Sequence, residues 1–419
     1  MKDLNFKEGL MAFLLIGVFV QPAAKTFTIT YPACDHIRDY DVTGWQVGDN
    51  FINVFDWVYY PWQGEEGTFE YWDENGVICL YRDEPFFEKK KVGIVIDSTY
   101  KESPIIPEDN VLVAILEASY IDKLSRFPNL VSASIHGTNS CFKGIEGYQN
   151  IKALRAECGD RALKYLARLE NLKEINLSWN EDLTGSGLAY FYDHQNLRLL
   201  DLSSTGVTDA NLSYIEGIYS LEELDLFNTP ITDRALVHVA GLSNLKSLSL
   251  AWTQVTNAGL EHLANLANLE VLDLGKIRIT DKGLQNLINL TNLKMLDVEE
   301  TAITKTGLEL ITRLPYIEGL SIYHTKVTSE GLQYLARLQN LRWLHIGNIG
   351  VADEDLHYLE KLPNLEGLSL EGCSVTDKGL KTLARMKNLE WLLIYSPYVT
   401  EAGIDMLEEA LPDCWIRFM

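Results

Sequence analysis

The chain of 419 residues is poor in most of what would point to chemistry or to nucleic acid. Cysteine is scarce, six in all, too few for a scaffold built on disulfides. Basic residues number 36 against 59 acidic ones, a formal net charge of −23. Neutralising phosphates needs clustered Lys and Arg, so no nucleic-acid partner is expected, and adhesion to an anionic membrane surface is disfavoured. No glycine loop for phosphate, no histidine pair at metalloprotease spacing and no CxxC metal spacing is found. The string Asp39 to Gly44 (DYDVTG) matches the opening of a calcium loop, but its twelfth place is Asn50 instead of Glu, and it reads as a polar turn. No cofactor, metal ligand or catalytic residue is therefore assigned, and the chain is not expected to be an enzyme.

Long hydrophobic runs are missing too, with one exception. Leu10 to Val20 (LMAFLLIGVFV) is apolar without a break, yet too short to span the ~30 Å of a bilayer core. With Lys2 and Lys7 before it and Ala23 and Ala24 after it, the run fits the core of a secretory signal over residues 1–24. Asp3 and Glu8 offset the lysines and Gln21 and Pro22 spoil the cleavage triplet, so a buried N-terminal helix is the competing reading. The expected location is secreted, periplasmic or at the cell surface, with a cytoplasmic one as the alternative. No second run approaches spanning length, and no membrane insertion of the mature chain is expected. In an exported chain Cys34 and Cys79 could pair, and so could Cys141 and Cys158.

What the sequence has is order. Starting at Leu197 one frame returns at Leu221, Leu245, Leu269, Leu293, Ile317, Leu341, Leu365 and Leu389, every step 24 residues. Its pattern is L-x-x-L-x-L-x-x-T-x-V/I-T-D-x-G-L-x-x-L-x-x-L-x-N, shown by Leu245 to Asn268 (LKSLSLAWTQVTNAGLEHLANLAN). Irregular units begin at Leu130, Ile151 and Leu172. A fixed period of this size means a stacked array. In Leu221-Glu222-Glu223-Leu224-Asp225-Leu226 apolar and polar residues alternate, as in a strand with one buried face. Thr232 or Asp233 can cap the helix that follows, and Leu236, Val239 and Leu242 form its inward stripe. Neither element hides its apolar side alone, so neighbours must stack into one core. Leu224, Leu226, Leu248, Leu250, Leu272 and Leu274 are expected buried, and Asp225, Ser249 and Asp273 exposed.

These motifs, in twelve units over about residues 111–419, resemble the leucine-rich-repeat family in the variety whose units read T-x-V/I-T-D-x-G-L. The resemblance implies an α/β fold: a right-handed leucine-rich-repeat solenoid, parallel strands on the concave side and short helices on the convex. Similar arrays occur in exported bacterial proteins and in F-box-associated adaptors. The family's usual Asn ladder at the strand exit is replaced here by Thr205, Thr229, Thr253, Thr301 and Thr325, interrupted by Ile277, Ile349, Cys373 and Pro397. A hydroxyl there is expected to bond the neighbouring turn. Residues from about 410 to 419, with Trp415 and Ile416, read as a closing strand that caps the array.

Residues 25–110 are different material, with 17 aromatic residues in 86 and 17 acidic against 7 basic ones. Gly67 to Tyr81 reads as a hairpin and Val92 to Ile96 as a strand, which makes this stretch a small β-rich N-terminal domain or an elaborate cap.

Function is sought on the concave face. Asp201, Asp225, Asp273 and Asp297 share one column there, with Glu299 and Glu300 beside it. Trp179, Phe227 and Trp252 line the early units; Tyr323, His324, Trp343, His345, Trp391 and Tyr395 line the last four. Aromatic side chains on an open sheet face are enriched in binding hot spots. The expected function is non-catalytic recognition of a protein, or a glycan, by these residues. A substrate-recognition adaptor of a ubiquitin-ligase-like complex is the alternative, though no F-box-like segment precedes the repeats.

Overall fold

A computed structural model describes residues 45–47, 51–53, 92–96 and 111–418. The apolar run Leu10 to Val20, the string at Asp39 to Gly44, the hairpin at Gly67 to Tyr81, and Cys34 and Cys79 lie outside the described residues. The chain divides into two compact units, with the boundary between Gly206 and Val207.

In the first unit, β1 (Trp45–Val47) pairs antiparallel with β2 (Phe51–Asn53). The remaining strands are parallel and succeed one another in space as in sequence: β3 (Val92–Ile96), β4 (Val111–Glu117), β5 (Ser132–His136), β6 (Ala153–Glu157), β7 (Glu174–Asn176) and β8 (Leu199–Asp201). Val92 to Ile96 is thus a strand as expected, and its partner is the strand that opens the array. Cys141 and Cys158 do not pair; both are free thiols, and burial pushes Cys158 up to about 12.

The second unit carries the regular period. Its strands are β9 (Glu223–Asp225), β10 (Ser247–Ser249), β11 (Val271–Asp273), β12 (Met295–Asp297), β13 (Gly319–Ser321), β14 (Trp343–His345), β15 (Gly367–Glu371), β16 (Trp391–Tyr395) and β17 (Trp415–Phe418). Every neighbouring pair from β9 to β17 is parallel, and leucine faces leucine: Leu224, Leu248, Leu272, Leu296 and Leu320 share one register row. All six leucines expected in the core are buried, as are Leu236, Val239 and Leu242. Truncating Leu250 to Ala would cost about 2–5 kcal/mol through lost burial and a cavity.

Three ladders, each with gaps, tie neighbouring units together. In the first, the Asn that precedes the frame leucine donates to a backbone carbonyl of the preceding unit, as in Asn244 to Tyr219, Asn268 to Ser243, Asn292 to Ala267, Asn364 to Gln339 and Asn388 to Pro363. The second is a clamp. Asp209 accepts from the backbone N–H and hydroxyl of Thr232, both at 2.7 Å, and Asp233 does the same for Thr256. Asp281 with Thr304, Asp353 with Thr376 and Asp377 with Thr400 repeat it. The clamped Thr then caps its own helix: Thr232 accepts from the N–H of Arg234, which identifies Thr232 and not Asp233 as the cap. The glycine of T-D-x-G-L belongs to this clamp. A Cβ at Gly307 would stand 2.4 Å from Oδ1 of Asp281, and one at Gly403 2.3 Å from Oδ1 of Asp377, so the carboxylate occupies the space a side chain needs.

The third ladder runs through the strand exit, and here the expectation is corrected. The hydroxyls of Thr205, Thr229, Thr253, Thr301 and Thr325 bond the carbonyl three residues back in their own turn, not the neighbouring unit. The link to the next unit is made by the preceding residue's N–H: Trp252 to Gly275, Lys276 to Glu299, Glu300 to Tyr323 and His324 to Gly347. Trp415 and Ile416 lie on the last strand, in register with Trp391 and Leu392.

Candidate functional site

Strand geometry sorts the strand face of the second unit into rows. The first row passes through Met295, Gly319, Trp343, Gly367 and Trp391, and the second through Asp225, Ser249, Asp273, Asp297, Ser321, His345 and Ser369. Two residues further along each unit come Phe227, Ala251, Gly275, Glu299, Tyr323, Gly347, Glu371 and Tyr395.

The large side chains of the first row do not stand up from the sheet. Trp343 is 3% exposed and Trp391 7%. Each has glycine in register beside it. A Cβ at Gly367 would be 2.0 Å from Cε2 of Trp391, so the indole lies flat where a neighbour's side chain would be. Met295 lies across Gly319 in the same way. The guanidinium of Arg342 stacks over Trp343 at 4.5 Å and is held by Glu366 at 2.6 Å. Trp343 and Trp391 thus form part of the packed surface. His345, 2% exposed, stacks on Tyr323 with ring centroids 4.6 Å apart.

The protruding residues are elsewhere, on a row the sequence reading underweighted. At the strand exit one residue per unit has positive φ: Asn228, Trp252, Lys276, Glu300, His324 and Asn348 in the second unit, and Trp179 and Ser204 in the first. Left-handed backbone in a non-glycine residue costs roughly 1–2 kcal/mol. Trp252 is nonetheless 53% exposed, and Glu300 and His324 are exposed as well. Lys276 sits over the Trp252 ring at 4.6 Å and reaches Glu300 at 3.2 Å and Glu299 at 3.7 Å. A Trp, Lys, Glu and His at successive 24-residue steps, one place before the ladder position, was the signal in the sequence. Tyr395 is also exposed, Phe227 is half-buried, and Trp179, which is exposed, belongs to the first unit.

The acidic residues are less solvated than the alternation implied. Asp225, Ser249 and Asp273 are half-buried, and Asp297 is 1% exposed. Burial pushes Asp273 up to about 6, against the N–H of Gly275 and the hydroxyl of Ser249, which favour its charged form. Burial, then repulsion from Asp273 and Glu299, raises Asp297 well above the carboxylate range. Burial raises Glu299 to about 7, opposed by Lys276 and aided by Asp273 and Glu300. The structure therefore brings Asp273, Asp297 and Glu299 together, with Lys276 reaching Glu299 and Glu300, and Tyr323 together with His345.

Among the described residues no group of His, Cys, Asp and Glu could hold a metal ion, and no helix is long and apolar enough to cross a membrane. Among curated proteins no sequence match reaches significance. Of solved structures, an internalin (InlF) of Listeria monocytogenes matches at 20% identity and TM-score 0.54, over 74% of this chain and 87% of that one, a likeness of fold. Internalin C2 of the same organism matches at 29% identity and TM-score 0.40, over 48% and 83%. A leucine-rich-repeat protein of Leptospira interrogans matches at 18% identity and TM-score 0.45, over 71% and 92%. The model of the leucine-rich repeat region matches residues 152–410, more than half of the chain. With the 24-residue frame, the parallel sheet and the three inter-unit ladders, that match makes the chain a member of the leucine-rich-repeat proteins.

Proposed function

We propose that this chain is a non-catalytic recognition protein that holds a protein partner on the concave face of its second unit. The observation that carries the reading is the exposed ridge at the strand exits. Trp252, Lys276, Glu300 and His324 each sit at positive φ, where glycine would be free of strain. Side chains kept at a conformational cost and turned to solvent favour a role outside folding. The ridge borders the acidic rows, and Tyr395 extends the aromatic surface on a later unit. Aromatic residues offer large apolar area at little entropic cost, and a hot-spot truncation removes ~2 kcal/mol or more of binding.

The test is capture of partners with the full chain and with Trp252→Ala plus Tyr395→Ala, both exposed side chains whose loss leaves the core intact. Loss of the same bound proteins from the double variant supports the reading; retention at equal strength overturns it. A glycan-only partner would show as capture abolished by deglycosylation. Export goes with this reading: sequencing the mature protein's N-terminus should place it near Lys25.

A further inference from the structure

Going beyond that reading, we propose that the outer edge of β17 is an interface on which a second copy of this chain docks, strand against strand and antiparallel, about a two-fold axis at Ile416.

The edge is open. Among the described residues β17 (Trp415–Phe418) pairs only with β16 and ends the sheet. Ile416 and Phe418 continue the leucine side, in register with Leu392 and Ile394, which are both 0% exposed. Without a further strand to cover them, Phe418 is 37% exposed and Ile416 half-buried, while Trp415 on the opposite face is 45% exposed. A terminal unit needs a polar outer face, and sheet edges are blunted by Lys, Pro or inward charges. β17 has one charge, Arg417, and it lies on the strand face beside Trp415.

The backbone specifies what fits there. The N–H of Trp415 donates to the carbonyl of Glu390, so Trp415 and Arg417 turn their peptide groups to β16. Alternation then turns the N–H and C=O of Ile416 and Phe418 outward, at the spacing that another strand matches.

Side chains choose the occupant and its register. In an antiparallel pair about a two-fold axis normal to the sheet, residues of the same face lie opposite one another. An axis at Ile416 places Ile416 opposite the second copy's Ile416, the pair exchanging two backbone hydrogen bonds. It also places Trp415 opposite the second copy's Arg417, and Arg417 opposite its Trp415, at the closer non-hydrogen-bonded spacing. A guanidinium against an indole is an attractive pair, and the symmetry makes it twice. Phe418 then lies opposite the second copy's Cys414, apolar against apolar. An axis one residue on, at Arg417, would set two guanidiniums directly opposite and is disfavoured. The segment is thus its own complement, which singles out a second copy over an unrelated strand. An interface this short lies at the small end of specific contacts, so the association is weak and reversible.

The test is sedimentation of the full chain from about 1 to 200 µM, with dimerisation expected at about 10–100 µM. Two substitutions at one position read the register. Trp415→Lys sets a like charge opposite Arg417 and should weaken the dimer at least about tenfold. Trp415→Glu meets Arg417 with the opposite charge and should stay within about threefold of the parent. Ile416→Cys should give a disulfide-linked dimer on mild oxidation, its two copies standing about 5.5 Å apart at Cα. The two native Cys414 thiols, about 14 Å apart along the strands, should stay reduced. Mass spectrometry identifies the link, and a melting temperature close to the parent's shows that each variant is folded. A chain that stays monomeric throughout the range overturns the proposal. So does growth past the dimer, absence of the link at position 416, or equal loss with Lys and Glu, which marks general stickiness of an apolar edge. Capture of the protein partner through Trp252 and Tyr395 is read separately, so either reading can fall while the other stands.

Discussion

Two sets of aspartates in the same repeat meet opposite fates. Those at the helix edge, such as Asp281 and Asp377, each accept two hydrogen bonds from a threonine one unit on. Asp377 is held below the usual carboxylate range by the backbone N–H and then the hydroxyl of Thr400. Asp160 in the first unit shows the balance: burial alone would raise it, but bonds from Gly187 and Thr184 outweigh burial and bring it down. Those on the strand face, Asp273 and Asp297, are raised by burial. Residue type and period are the same. Only the edge position hands the carboxylate donors from the neighbouring unit, whereas the strand position stacks carboxylate beside carboxylate.

The sharpest way to break this contrast is to remove one carboxylate from each set. Asp281→Ala takes both acceptors from Thr304 and opens space beside Gly307, and should cost about 2–4 kcal/mol in denaturant unfolding. Asp273→Asn, a change of the same residue type on the strand face, should stay within about 1 kcal/mol of the parent. If the two variants unfold at the same denaturant concentration, the clamp does not hold the units together.

The next effect is in pH. The strand-face groups have folded values above their ordinary ones, Asp273 at about 6 against 3.8 and Glu299 at about 7 against 4.5. Between pH 4 and 7 the folded chain therefore binds more protons than the unfolded one, and stability falls as pH rises through this range. Acidifying from pH 7.5 to 5.5 should raise the unfolding free energy, on the order of 1–3 kcal/mol, and the melting temperature with it. Asp160 and Asp377 have the opposite sign, both being lowered in the folded chain. Their contribution is present above the ordinary Asp value and is lost as pH falls through the lowered folded one, so stability should turn down again below about pH 4. A melting temperature that rises steadily from pH 5.5 to 7.5 would contradict the raised values. Within the same series Asp297→Asn should stabilise the chain by about 1–2 kcal/mol at pH 7.5 and by less at pH 5.5, because it removes the most crowded charge.

The edge set was partly legible in the sequence and the strand set was not. Thr and Asp in T-D-x-G-L were readable as helix-capping residues, because capping is local chemistry. That the Asp serves the next unit's Thr was hidden, since periodicity shows that a residue recurs without showing which copy it touches. The glycine of the motif was the available clue, as it marks where another group comes close. On the strand face alternation correctly turned Asp273, Asp297, Trp343 and Trp391 away from the leucine core. It could not say that Trp391 would lie down on Gly367 or that Asp297 would be inaccessible, because these depend on the neighbouring strand. Gly319 and Gly367, in register with Trp343 and Trp391, were the visible sign. The Asn that bonds back to the preceding unit is written in the frame itself, one place before most of its leucines, as at Asn244, Asn268 and Asn292.

The smallest effect tests whether an edge aspartate can be added where the repeat lacks one. At Lys305 the frame substitutes lysine for Asp, and Thr328, one unit on, caps its helix with no side-chain bond. Lys305 instead makes a fully exposed ion pair with Glu330 at 2.9 Å, a contact that solvent screens. Lys305→Asp should recreate the clamp on Thr328, lose that pair, and set a second negative charge near Glu330. The gain from two hydrogen bonds is set against these losses, so the net change in stability is small. Global stability is therefore the weaker readout, and hydrogen exchange at the Thr328 amide is the stronger one. That N–H should exchange more slowly in the variant, because a carboxylate now accepts from it, while the amide of Thr304, already clamped by Asp281, should not change. An unprotected Thr328 amide would mean that the clamp needs more than the right residue at the right step, and that the position of the neighbouring turn, not the aspartate, sets the edge apart from the strand face.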